Sequence, residues 1–237
     1  MHIERKSLPD PQTADHEQVI DETIHPLRSA GDRFEQLLTP YRRFSLHLVP
    51  GNHDIWSETS ERLFRKYAGH APHYSFDYGP AHFTVLDNSR SERFTPDEMA
   101  FLEKDLAAHA ARPVKFIVSH RPSWLIDAVL RNPNFAVQQL AKKYGVWHVI
   151  AGHVHAMLHA DLDGVMYVSV PSSAGRLRAS KRYEDGWFFG YTLAEVKGKD
   201  VRFQIKELKP PYGEGRVTHV EDWGIDGLIG KRKAATK

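Results

Sequence analysis

Three short apolar runs, each ending in a polar cluster, limit the fold of this chain more than any other feature. Residues 44–49 (FSLHLV) alternate and lead through Pro50 into Gly51-Asn52-His53-Asp54. Val114–Ser119 leads into His120-Arg121-Pro122, and Val146–Ala151 into Gly152-His153-Val154-His155. Runs of this length, rich in β-branched and aromatic residues and bounded by turn formers, predict strands. Helical signals lie between them. Thr95-Pro96-Asp97-Glu98 offers an N-cap, a proline in the first turn and an acid at N3. That helix is expected to reach about Ala111 and to bury Met99, Leu102 and Leu106. Residues 57–67 and Asn134–Tyr144, the latter closed by Gly145, predict two more. Strands alternating with helices indicate a layered α/β domain, in which loops at the carboxyl ends of the strands line the ligand crevice.

The flanking regions read differently. Residues 1–14 form a polar arm, followed by helical periodicity over Asp15–Leu27 and again over Arg33–Arg43, where Pro40 shortens the run. Tyr74–Tyr78 and His82–Asp87 predict two strands about a Gly79-Pro80 turn. Val165–Val170, Trp187–Leu193 and Val201–Glu207 predict a β-rich last third, and residues 210–237 a loose tail. The expected division is a polar helical segment at 1–43, a core at 44–209 and that tail. With 41% apolar residues the chain can build a sizeable core. Its 32 basic and 30 acidic residues balance to +2, which supports neither nucleic-acid nor membrane binding. Having no cysteine excludes disulfides, thiolate metal sites and cysteine nucleophiles. There is no secretory h-region at the start and no apolar run long enough to span a bilayer, so the expected location is cytoplasmic.

Chemistry concentrates at the three strand ends. They deliver Asn52, His53 and Asp54, then His120, then His153 and His155 to one edge of a sheet. Imidazole nitrogen and amide oxygen suit Zn, Mn, Fe, Co or Ni better than Ca. Each cluster alone has an ordinary explanation, such as an Asx turn at Asn52 or a surface loop at His153. His70, His73, His82, His109 and His148 are assigned to core or surface for the same reason. Three clusters in this order, each after a strand, indicate a metal site.

The set Gly51-Asn52-His53-Asp54, His120, Gly152-His153-Val154-His155 resembles the calcineurin-like metallophosphoesterase superfamily, over roughly residues 44–207. The resemblance implies two packed β-sheets flanked by helices, with the N-terminal edge shortened. It implies metal-dependent hydrolysis of a phosphomonoester or phosphodiester in a small-molecule or macromolecular substrate. Asn52, His120 and His153 then correspond to ligands of one ion, and His155 to a ligand of a second. His53 corresponds to the group that protonates the leaving oxygen, with Asp54 orienting its imidazole.

The pattern departs from the family in one respect. Its signature opens with Asp-x-His and then Gly-Asp, whose Asp bridges two metals. Here no Asp-x-His precedes Asn52, and Gly31-Asp32 follows a poor strand signal. Four neutral ligands would leave two divalent ions repelling each other without a carboxylate between them, so one ion is expected unless Asp32 or Asp87 reaches in. Two explanations follow: a chain lacking the domain's first strands, which is favoured, or a catalytically impaired variant keeping one metal or none. Oligomeric state is not legible in the sequence.

Overall fold

The computed structural model describes residues 32–177, 179–209 and 213–234. The helix expected over Asp15–Leu27 lies outside the described residues. Helix α1 covers residues 32–38 and tightens into a 3-10 turn at Thr39–Tyr41, where Pro40 cannot donate to a longer ladder. Helix α2 (Glu58–Ala68) starts on Ser57, whose hydroxyl accepts the Ser60 N–H at 3.1 Å, and stops at Gly69 in the left-handed region. Strands β1 (Tyr74–Tyr78) and β2 (Ala81–Val85) form the expected hairpin. Helix α3 (Pro96–Ala108) begins on Thr95, whose hydroxyl accepts the Glu98 N–H at 3.2 Å. Then come β3 (Val114–Val118), α4 (Leu125–Val129), α5 (Ala136–Tyr144), β4 (His148–Ala151), β5 (Leu158–Leu162) and β6 (Val165–Ser169).

These strands make one six-stranded sheet in the order β1-β2-β3-β4-β6-β5. β2, β3, β4 and β6 run parallel, while the outer strands β1 and β5 are antiparallel to their neighbours. The carboxyl ends of the four parallel strands therefore share one edge. Register is pinned by rings: Phe76, Phe83 and Phe116 are direct cross-strand partners on β1, β2 and β3, stacked at 4.8 and 4.5 Å. His148 on β4 continues the row at 4.9 Å from Phe116.

Successive residues point to opposite faces, and both faces are buried. Ile117, Val149 and Tyr167 pack under α3 and α5 against Leu102, Leu106 and Ala141. Phe116 and Val168 face the other way, onto Phe203, Ile205 and Trp223. That second layer is a three-stranded antiparallel sheet of β7 (Gly190–Lys197), β8 (Asp200–Lys209) and β9 (Gly213–His219), with a hairpin of β10 (Trp223–Asp226) and β11 (Ile229–Arg232). The expected α/β fold of two packed sheets with outer helices is thus what the chain forms.

Two expectations need correction. Residues 213–232 are not a loose tail: they supply three strands, and Trp223 and Val220 are fully buried. Their glycines and charges mask a few apolar anchors that find the core over long range. Residues 44–49 carry the strand signal but form no strand. They lie beside β1 through His47, stacked on Phe76 at 3.4 Å, while Phe44 and Leu46 stay exposed. Alternation marks a segment suited to pairing; a ladder also needs a partner in register.

Candidate metal centre

β3 and β4 end side by side. Past the last paired residues the Ser119 N–H donates to the Ile150 carbonyl at 3.1 Å, and the Gly152 N–H to the His120 carbonyl at 2.9 Å. His120 and the Gly152–His155 turn therefore leave the sheet as one cross-linked unit. The turn is tight: the Val154 N–H donates back to the Gly152 carbonyl at 2.7 Å, with φ of +64° at His153 and +60° at His155. Positive φ is uncommon outside glycine, though histidine tolerates it better than most side chains. Strain of this kind concentrates at functional sites.

The third element is the loop before α2. The Asp54 and Ile55 N–H groups both donate to the Gly51 carbonyl at 3.0 Å, and the Gly51 N–H donates to Asp54 Oδ2 at 2.8 Å. Fully buried Ile55 anchors this closed turn, which presents Asn52 to the strand ends.

The outcome is a triangle. Asn52 Oδ1 lies 2.8 Å from His120 Nε2 and 3.1 Å from His153 Nδ1, and the two ring nitrogens are 3.0 Å apart. Protons alone serve this arrangement poorly. If both nitrogens carry hydrogen to satisfy the amide oxygen, two N–H groups face each other. If one is bare, its lone pair faces the oxygen's. A cation accepts from all three atoms at once. Donors at about 2.1 Å from one ion stand about 3.0 Å apart at right angles and about 3.4 Å apart in a tetrahedron. The observed edges are short enough for one cation to touch all three atoms, and the donor set fits a divalent metal.

His155 stands apart from the triangle. Its Nδ1 is 2.8 Å from the Arg176 carbonyl, a contact that needs the proton on Nδ1 and leaves Nε2 as the lone-pair side. His53 is exposed beside Asp54 on the wall of an apolar cleft of about 390 Å³ that also includes Trp56 and Phe64. Asp32 binds the Tyr67 hydroxyl at 2.6 Å, and Asp87 caps its own turn by accepting the Ser89 N–H at 2.9 Å. Arg90 is spent on the Ser57 carbonyl and Glu61, Arg121 on Glu92 and the Ser89 carbonyl. Trp124 is core, against Tyr167.

A residue with no motif of its own also shapes the centre. Asn88, 2% exposed, reaches from the loop after β2 to the backbone just beyond His120. Its one legible signal is position: like His120 and the Gly152–His155 turn, it follows a parallel strand.

His82, Asp105 and His109 also come within ligand reach of one another, toward the opposite end of β2. The His82 and His109 rings are stacked at 3.8 Å and 16°. Lone pairs lie in the ring planes, so two nearly parallel rings do not aim at a common ion. His82 instead holds Asp77 at 2.8 Å through Nδ1 and Asp105 at 2.9 Å through Nε2, a structural ion pair.

Comparison with known proteins gives the following. A family model described as calcineurin-like phosphoesterase matches residues 15–157. Purple acid phosphatase 15 of Arabidopsis thaliana is 26% identical over 192 residues, 70% of this chain and 36% of that protein. Purple acid phosphatase 23 of the same plant is 29% identical over 156 residues, 58% of this chain and 33% of that protein. The chain thus spans roughly a third of the length of these curated relatives. Among solved structures, purple acid phosphatase PPD1 from yellow lupin (Lupinus luteus) seeds is 17% identical, covers 62% of this chain and 32% of that one, and has a TM-score of 0.40. Among the described residues no helix is long and apolar enough to cross a membrane.

Proposed function

The chain belongs to the calcineurin-like phosphoesterase family, and from that premise we propose that it hydrolyses a phosphate ester at a single divalent ion held by Asn52, His120 and His153. The triangle of ligand atoms at 2.8–3.1 Å carries this reading. An ion held there would supply Lewis-acid polarisation of a phosphoryl oxygen and would lower the pKa of a water. Amide oxygen and imidazole nitrogen suit several divalent ions, Mn²⁺ among them.

The protein's own groups divide the remaining work. His53, exposed at the rim, donates a proton to the departing alkoxide. Asp54, expected to orient the His53 imidazole, instead accepts the Gly51 N–H and supports His53 by closing the turn that carries it. His155 lies outside this set, its Nδ1 held by the Arg176 carbonyl and its Nε2 left as an acceptor.

A second reading is favoured by the neutrality of all three triangle ligands: a relative that retains the ion and has lost hydrolysis. Turnover of p-nitrophenyl phosphate and bis-p-nitrophenyl phosphate with added Mn²⁺ separates the two. Hydrolysis that His153→Ala lowers by at least about a hundredfold supports the enzyme. Hydrolysis indifferent to that substitution overturns the site. Mn²⁺ binding with no turnover of either ester establishes the second reading.

A further inference from the structure

We infer that Asn88 is the positioning residue of this centre, fixing His120 through the backbone that follows it. The inference rests on reading Asn52, His120 and His153 as the ligands of an ion. The β2–β3 ladder makes its last backbone bond where the Leu86 N–H donates to the Val118 carbonyl at 2.9 Å. Beyond that point Asn88 continues the ladder with its side chain. Its Oδ1 accepts the Arg121 N–H at 3.0 Å, and its Nδ2 donates to the Arg121 carbonyl at 2.8 Å and to Ser123 Oγ at 2.9 Å. One amide thereby imitates the pairing of a neighbouring strand.

His120 sits between these two fixed points, and its own carbonyl is held by the Gly152 N–H. The ring then has little freedom left in placing Nε2 against Asn52 and His153. No other side chain of this size does the same. Aspartate keeps the acceptor and loses both donors, presenting a charge to the Arg121 carbonyl; leucine loses all three bonds. Asn88 is 2% exposed, so removing it takes from the Arg121 N–H its acceptor, while the Arg121 carbonyl keeps the Ser119 hydroxyl and the Ser123 N–H. The expected functional effect is loosened metal geometry, because ligand-orienting groups of this kind tune affinity by about 10–100-fold.

The test must separate positioning from plain destabilisation. Asn88→Ala, Asn88→Asp and a remote control, Gln138→Ala, are compared by thermal unfolding, by Mn²⁺ titration followed by electron paramagnetic resonance, and by ¹⁵N resonances of the His120 ring in metal-free protein. Gln138 is as buried as Asn88 and bonds the Leu162 carbonyl from α5, away from the centre. Both Asn88 variants are expected to bind Mn²⁺ at least about tenfold more weakly and to shift the His120 ring signals. Gln138→Ala is expected to unfold earlier with affinity and ring signals unchanged. Wild-type affinity and unmoved ring signals in folded Asn88→Ala overturn the inference, as does equal weakening in Gln138→Ala. Should Asn88→Ala not fold, Asn88→Ser decides on the same readouts. A wild-type protein that binds no Mn²⁺ overturns the reading of the centre, and the ring signals then decide the positioning alone.

Discussion

Replacing His82 with phenylalanine removes a buried cation and puts a somewhat larger apolar ring in its place, and the structure sets the size of the effect. His82 is 1% exposed and meets carboxylates on both ring nitrogens, so it holds both protons. Burial pulls its pKa down, but the hydrogen bonds and charges of Asp105 and Asp77 outweigh that and hold it above the ordinary value. Burial pushes Asp105 up, and its bonds to His82, Thr84 and Ser75 outweigh that and hold it below. Asp77 is partly solvated and keeps Arg112, so losing His82 costs it little. Asp105 is left as a buried carboxylate supported by two hydroxyls and by His109 Nδ1 at 3.2 Å. Breaking a buried pair in this way costs about 3–5 kcal/mol.

The sign with pH follows from the two shifts. The raised His82 contributes fully below its ordinary value of about 6.5 and loses its contribution as pH rises through its folded value. The lowered Asp105 contributes above about 3.9 and loses its share as pH falls through its folded value. The cost of His82→Phe is therefore greatest between those limits and shrinks toward alkaline pH. His148, which burial lowers to about 4, slopes the opposite way in the same window, losing stability as pH falls. The readout must therefore be the difference between variant and wild type. Urea unfolding of both at about pH 5.5 and about pH 9 measures it. A cost below about 1 kcal/mol at the lower pH, or one equal at both, refutes a charged His82. Mn²⁺ affinity should stay unchanged, since the pair lies away from the carboxyl edge of the sheet.

Two further substitutions probe the centre and the second layer. A Cβ on Gly51 would stand 3.0 Å from Asp54 Oδ2 and from the Nδ1 and Cε1 atoms of His120. Gly51→Ala is therefore expected to displace that ring by a few tenths of an ångström and weaken Mn²⁺ several-fold in a folded protein; unchanged affinity in the titration contradicts the close approach. Trp223 is fully buried against Phe188, with its indole N–H on Thr218 Oγ1 at 2.9 Å. Trp223→Ala should cost about 3–5 kcal/mol in urea unfolding, and a cost under about 1 kcal/mol would make residues 213–232 peripheral.

Local grammar was readable where the structure obeys it locally. Thr95 and Pro96 start α3, Gly145 ends α5 in the left-handed region, and the apolar run at β3 is buried on both faces, that at β4 on one with the other half-buried. β5 also carries a signal, since Asp163-Gly164, both at positive φ, is the two-residue turn of a hairpin. The C-terminal strands were hidden because their burial depends on contacts across the whole chain, such as His159 Nδ1 with the Trp223 carbonyl. Within the centre, the ends of β3 and β4 place His120 and His153 on one edge, but Asn52 arrives on a loop with no strand before it, and the mutual distances depend on turns that no spacing encodes. Asn88 has no motif to mark it, and its meaning lies in bonds to residues 33 and 35 positions away.

Crystals of the protein soaked in Mn²⁺ give the most direct measurement, an anomalous difference map at the manganese edge. One peak is expected at about 2.1–2.2 Å from Asn52 Oδ1, His120 Nε2 and His153 Nδ1, and it should vanish in His120→Ala. A map with no peak there, or with its peak beside His82, Asp105 and His109, contradicts the assignment.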